Sequence, residues 1–181
     1  TVYDLAEGRV RVRCEMDKRW SPWRSKYIQS LKPGSEKEEG CLFCRAAKET
    51  NDKQNYLLHR GKNCYIIMNL YPYNSGHLMI VPYAHASSLN ELNEETRLEC
   101  MNMINTGCEI LEKAIFPHGF NIGSNIGRVS GAGIEDHVHF HIVPRWNGDT
   151  NFMPVLNDVK VISEFMDITY EKLKKAMEDL K

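Results

Sequence analysis

The run His137-Val-His-Phe-His-Ile-Val143 constrains this chain more than any other stretch. Imidazoles stand at i, i+2 and i+4 with apolar residues between them. In an extended strand successive side chains point to opposite faces, so Val138, Phe140 and Ile142 enter a core while His137, His139 and His141 share the other face. A helix would scatter both sets. A surface needing only polarity has no reason to place three histidines strictly on one side. Along such a strand neighbouring histidines stand roughly 6–7 Å apart, and the outer two roughly 13 Å apart. With Zn–N bonds of about 2 Å, one zinc ion could take two of them, but three would strain to reach it. The three histidines therefore divide into more than one task.

The rest of the chain supplies a frame for that strand. Cys64–Leu70 and His77–Tyr83 are apolar runs separated by Tyr-Pro-Tyr-Asn-Ser-Gly, which predicts an antiparallel hairpin. Between Asn93 and Ile115, the residues Leu98, Met101, Ile104, Cys108, Leu111 and Ile115 recur at spacings of three and four. That pattern predicts an amphipathic helix with Asn93 as its N-cap, ended by Pro117 and Gly119. A last helical pattern spans about 162–179, with Ile162, Phe165, Leu173 and Met177 on its apolar side. Strands and helices joined by tight links, without regular crossovers, indicate an α+β domain with a mainly antiparallel sheet. Residues 1–40 contain Pro33, Gly34 and a charged stretch and read as an arm with a linker, leaving 41–181 as the domain.

Two further motifs bear on chemistry. Asn125-Ile-Gly127-Arg-Val-Ser-Gly131-Ala-Gly133 lies just upstream of the histidine run, and its glycines permit positive φ and close approach of a ligand to peptide N–H groups. Alone it could simply turn the chain; beside aligned imidazoles it makes a plausible anion cradle. Cys41-Leu-Phe-Cys44 has metal-ligand spacing. A redox role is disfavoured because no thioredoxin-like βαβ pattern surrounds it, yet spacing alone leaves metal at even odds. Cys64 lies in an apolar run and Cys108 on a helix face, where free thiols behave as small hydrophobes.

The histidine run, followed by Pro144-Arg145-Trp146, resembles the defining motif of the histidine triad nucleotide-binding family, and Asn125-x-Gly127-xxx-Gly131 resembles its phosphate-contacting loop. Asn69, eight residues before His77 in NLYPYNSGHLMIVP, falls where that family keeps a ribose-contacting residue and an active-site histidine. The likeness runs from about Cys41 onward and is similar to the bacterial and archaeal dinucleoside polyphosphate branch. It implies a sheet of about five strands with two main helices, extended across a homodimer. It implies His139 as the nucleophile that accepts a nucleotidyl group, with His141 and His77 beside the phosphates and Asn69, Asn125, Gly131 and Gly133 as nucleotide- and phosphate-binding positions. Zinc-containing relatives imply a structural zinc on Cys41, Cys44, His85 and His137, which would leave His139 and His141 for substrate. Gly133 departs from relatives that carry Ser or Thr nearby, so any such contact falls to the backbone or to Ser130. That weakens any choice between water and inorganic phosphate as acceptor, with hydrolysis the leaning. A nucleotide-binding module without turnover is the alternative.

Composition narrows the partners. The formal net charge is -1, from 23 Lys+Arg against 24 Asp+Glu, which argues against a generic polyanion binder. The first 27 residues hold seven Lys+Arg against four Asp+Glu, so an arm that contacts nucleic acid is the weaker rival reading. No apolar run approaches the ~20 residues of a membrane helix, and no secretory h-region opens the sequence, so a soluble cytoplasmic protein is expected. His59 and His118 sit beside loop signals and read as solvated surface histidines. Trp146 and Phe152 could stack on a base.

Overall fold

The structure is a computed structural model that describes residues 40–150 and 164–180. The arm expected at the N-terminus, together with Phe152 and Ile162, lies outside the described residues. Five strands make one sheet: β1 (Leu57–Arg60), β2 (Cys64–Met68), β3 (Leu78–Pro82), β4 (Gly119–Gly123) and β5 (Phe140–Arg145). The order is β1-β2-β3-β5-β4, and every neighbouring pair is antiparallel. The predicted hairpin is β2–β3, with Cys64 opposite Pro82 and Met68 opposite Leu78.

Among the described residues three α-helices flank the sheet. A short helix, α1 (Leu42–Lys48), covers one face through Phe43 and Ala46. The long helix α2 (Glu94–Ile115) and the last helix α3 (Met166–Glu178) cover the other. Asn93 caps α2 as its sequence implies, its side chain accepting from the Thr96 N–H at 2.8 Å. The helix stops at Phe116, which takes a left-handed conformation just before Pro117.

The buried stripe of α2 differs from the expected one. Thr96, Cys100, Met103, Ile104, Gly107, Ile110 and Leu111 face the core, while Leu98 and Met101 are 64% and 54% exposed. Gly107 lies on this inner face, where a Cβ would stand 2.6 Å from Ile142 Cδ1 and the Ile142 side chain would have to shift. Phe165 was expected on the apolar side of the last helix but sits at its N-cap, 81% exposed.

Alternation along the strands sorts the two sides. Ile66, Leu78, Ile80 and Ile142 pack with the helices α2 and α3, whereas Tyr65, Ile67, Met79 and Val81 pack with Phe43 of α1. Burying each of these side chains contributes roughly 1.5–3 kcal/mol. His141 pairs with Met79 and so faces the α1 side. β1 was not anticipated as a strand. His59 lies on it, half-buried and opposite Ile66, instead of in a loop.

Candidate active site and metal centre

The ladder of β5 begins at Phe140, three residues later than the histidine alternation suggests. Ahead of it the backbone is not paired with β3, and His137 and His139 take separate partners. All three residues lie within reach of the α1 face. His77, at the end of the β2–β3 link, is fully buried and joins them.

Hydrogen bonds fix which nitrogen of each ring carries the proton. The Tyr73 backbone N–H donates to His77 Nδ1 at 3.0 Å, so the His77 proton is on Nε2. That Nε2–H donates to His141 Nδ1 at 2.9 Å, which puts the His141 proton on its own Nε2. His139 is reversed: its Nδ1–H donates to the His137 carbonyl at 2.9 Å, and its Nε2 is left with a lone pair. The rings of His139 and His141 are 4.8 Å apart between centroids. The site therefore presents one nucleophilic nitrogen beside one N–H donor. Burial holds the His139 imidazole below its ordinary range, and burial together with the neighbouring His139 pushes His141 down to about 4. Both rings stay neutral near pH 7, as that proton order requires.

The sequence-derived binding positions fare differently. Asn69 is beside His77, its Nδ2 at 3.3 Å from His77 Nδ1 and its Oδ1 accepting the Tyr71 N–H at 2.9 Å. Its amide braces the link that carries His77. Asn125 lies two residues beyond Gly123, the cross-strand partner of His141, so the glycine loop departs from the histidine end of β5. Ser124 ties the same point down by donating to the His139 carbonyl at 2.7 Å. Gly127 and Gly131 adopt φ of +77° and +89° with open space around them. Gly131 and Gly133 are exposed on the loop. The Ser130 hydroxyl donates to the Gly127 carbonyl at 2.7 Å and so shapes the turn. Trp146, considered for base stacking, donates its Nε1–H to the Phe116 carbonyl at 3.0 Å. His118 accepts the Asn147 N–H at 3.0 Å.

Cys41, Cys44, His85 and His137 converge, each offering one ligand atom, with all four atoms within 4.8 Å of one another. His85 Nδ1 and His137 Nδ1 are 3.3 Å apart, Cys41 Sγ is 3.3 Å from His137 Nδ1, and Cys44 Sγ is 3.5 and 3.6 Å from His85 and His137 Nδ1. Those four separations match edges of a tetrahedron around a zinc-sized ion, which bond lengths of about 2.0–2.1 Å to nitrogen and 2.3 Å to sulfur set at about 3.3 and 3.6 Å. The His137 Nε2–H donates to the Pro82 carbonyl at 2.9 Å, directing its Nδ1 lone pair at the thiols. Burial and the adjacent Cys41 raise the Cys44 thiol above its ordinary range, a cost that a bound cation relieves. The cluster fits a metal ion.

A fold of five antiparallel strands with this histidine constellation defines a class. The HIT domain family model matches residues 50–148, and the chain belongs to that family. It is 34% identical to an AP-4-A phosphorylase of Mycobacterium tuberculosis across 92% of this chain and 85% of that protein. An adenosine 5'-monophosphoramidase of Schizosaccharomyces pombe is 30% identical over 59% of this chain and 75% of its own length. Among solved structures, a Zn-bound histidine triad family protein from Mycobacterium smegmatis shares the fold with a TM-score of 0.64 at 22% identity, covering 78% of this chain and 95% of that one.

Three features of the site went unread in the sequence: Phe43 against the histidine rings, the Tyr73 N–H on His77 and the Pro82 carbonyl on His137. Two of the three are backbone groups, which no side-chain pattern signals.

Proposed function

We propose that this chain is a nucleotidyl-transferring enzyme that cleaves dinucleoside polyphosphates of the diadenosine tetraphosphate type through a covalent intermediate on His139. The proton order of the three imidazoles carries this reading. His139 Nε2 attacks the α-phosphorus, the bond from that phosphorus to the bridging oxygen breaks, and ATP leaves. His141 Nε2–H stabilises the departing oxygen, with His77 holding His141 in that tautomer. The Nδ1–H of His139 keeps its hydrogen bond to the His137 carbonyl, which supports the positive charge that develops on the ring. An acceptor then takes the adenylyl group and restores the lone pair. Asn125 and the peptide N–H groups of Gly131 and Gly133 hold phosphate oxygens, and Asn69 serves the nucleoside. Catalysis relies on alignment and charge stabilisation more than on acid–base strength.

The likeness to a phosphorylase over 92% of the chain favours inorganic phosphate as the acceptor. The monophosphoramidase likeness, over 59% of the chain, favours water. Incubation with diadenosine tetraphosphate distinguishes them: phosphate-dependent release of ADP plus ATP is expected, whereas AMP plus ATP without phosphate marks hydrolysis. A chain that binds nucleotide yet releases neither pair is the binding module, and the enzymatic reading is then wrong.

The metal held by Cys41, Cys44, His85 and His137 is read as structural zinc, since four protein ligands leave no position for a reacting water. A homodimer is part of the same proposal. Among the described residues β4 is an edge strand without a charged residue, and Ile122 on it is 50% exposed. Such an edge needs a partner, and a second β4 provides one. Sedimentation equilibrium is expected to give twice the chain mass, and Ile122→Lys about half of that; a monomeric wild-type chain refutes the dimer. Among the described residues no helix is long and apolar enough to cross a membrane.

A further inference from the structure

We infer that Phe43 is a positioning residue for His139, so that the cysteine turn orients the nucleophile as well as the metal cluster. The inference rests on the proposed role of His139 and deepens it.

Phe43 lies between the two cysteines, in the first turn of α1, and is 2% exposed. Its ring centroid is 4.8 Å from that of His139 with the planes at 55°, and 5.4 Å from that of His137 at 74°. One aromatic ring thus touches both a proposed metal ligand and the proposed nucleophile. Its own backbone is anchored, because the Tyr65 hydroxyl donates to the Phe43 carbonyl at 2.8 Å from the middle of the sheet.

His139 needs such a wall. Its one hydrogen bond, to the His137 carbonyl, sets the tautomer, but a terminal imidazole torsion is broad and a single bond at one edge leaves the ring free to rock. Rocking swings Nε2 away from the line of attack. His141 stands at the same 4.8 Å from His139, yet its orientation is already committed to His77. Phe43 carries no polar side-chain atom, so it can act on His139 only by occupying space and presenting a planar face. The position of that face follows from the two flanking sulfurs.

The test compares wild type with Phe43→Ala and Phe43→Leu in the full chain, measuring zinc content, steady-state kinetics and long-range 1H–15N NMR of the histidine rings. Both variants are expected to keep one zinc and a KM within about twofold of wild type. A displacement near 1 Å at a reacting group costs on the order of 10²-fold, so kcat is expected to fall roughly 10- to 100-fold, with alanine the more affected. The NMR spectrum of wild type is expected to show His139 as one Nδ1–H tautomer, and that of Phe43→Ala a mixture. Should the alanine variant not fold, Phe43→Leu carries the test, because it keeps apolar volume and loses only the planar face. A kcat within twofold of wild type at unchanged zinc content, or an unaltered His139 spectrum, overturns the inference. If wild type turns over no dinucleotide, the nucleophile reading fails by itself, and the NMR comparison still decides whether Phe43 positions the ring.

Discussion

Replacing His139 with alanine is expected to lower kcat for dinucleoside polyphosphate cleavage roughly 10⁴-fold or more, the scale reached when a nucleophile that works with its neighbours is removed. The reason lies in proton placement. The Nε2 atoms of His77 and His141 both carry hydrogen, because each Nδ1 accepts a hydrogen bond, so neither ring can stand in for the lost lone pair. The fold should survive, since His139 contributes to the main chain through its carbonyl, which the Ser124 hydroxyl still reaches. Rapid acid-free quenching with labelled substrate checks the mechanism directly: wild type should accumulate a chain-bound nucleotide within one turnover and His139→Ala none. A variant that retains more than a hundredth of wild-type turnover would exclude the covalent route.

Loss of the metal should have the largest effect on stability. α1 has only seven residues and no side-chain hydrogen bond at its N-cap, Cys41, and a helix that short is marginal without tertiary anchors. Its anchors are the burial of Phe43 and Ala46 and the four-ligand cluster. At free zinc about 1,000 times the dissociation constant, ligation of the folded state alone adds about 4 kcal/mol. For a domain of this size that corresponds to roughly 8–16 °C in Tm. Elemental analysis should give one zinc per chain in wild type and close to none in Cys44→Ala, with the calorimetric Tm of that variant lower by this amount and insensitive to chelator. Equal zinc content in the two proteins, or a chelator-independent wild-type Tm, would remove the site.

What the sequence disclosed and what it concealed divide along physical lines. The Asn93 cap is local and is found where the pattern implies, whereas the histidine alternation coincides with the β5 ladder only from Phe140 onward. The face of α2 was misread because hydrophobicity was weighed without size: Gly107 and Cys100 take the inner positions that the larger Leu98 and Met101 would have been assigned. β1 escaped notice because Leu57 and Leu58 are adjacent and both buried, on opposite faces of a strand that bulges, so no alternation marks it. The ligand set required the family resemblance, since Cys41 and His137 are 96 residues apart and meet only through the sheet. Phe43 belongs to the same category. Nothing between two cysteines in a sequence says which ring will lie against which.

The bond from the Tyr73 N–H to His77 has an evolutionary corollary. Every residue except proline supplies that donor, so the order of protons on His77 and His141 rests on the main chain at position 73 and not on the identity of its residue. The most influential group in the relay is thus invisible to any comparison of residue identity, and what inheritance must keep is the path of the chain between Asn69 and His77.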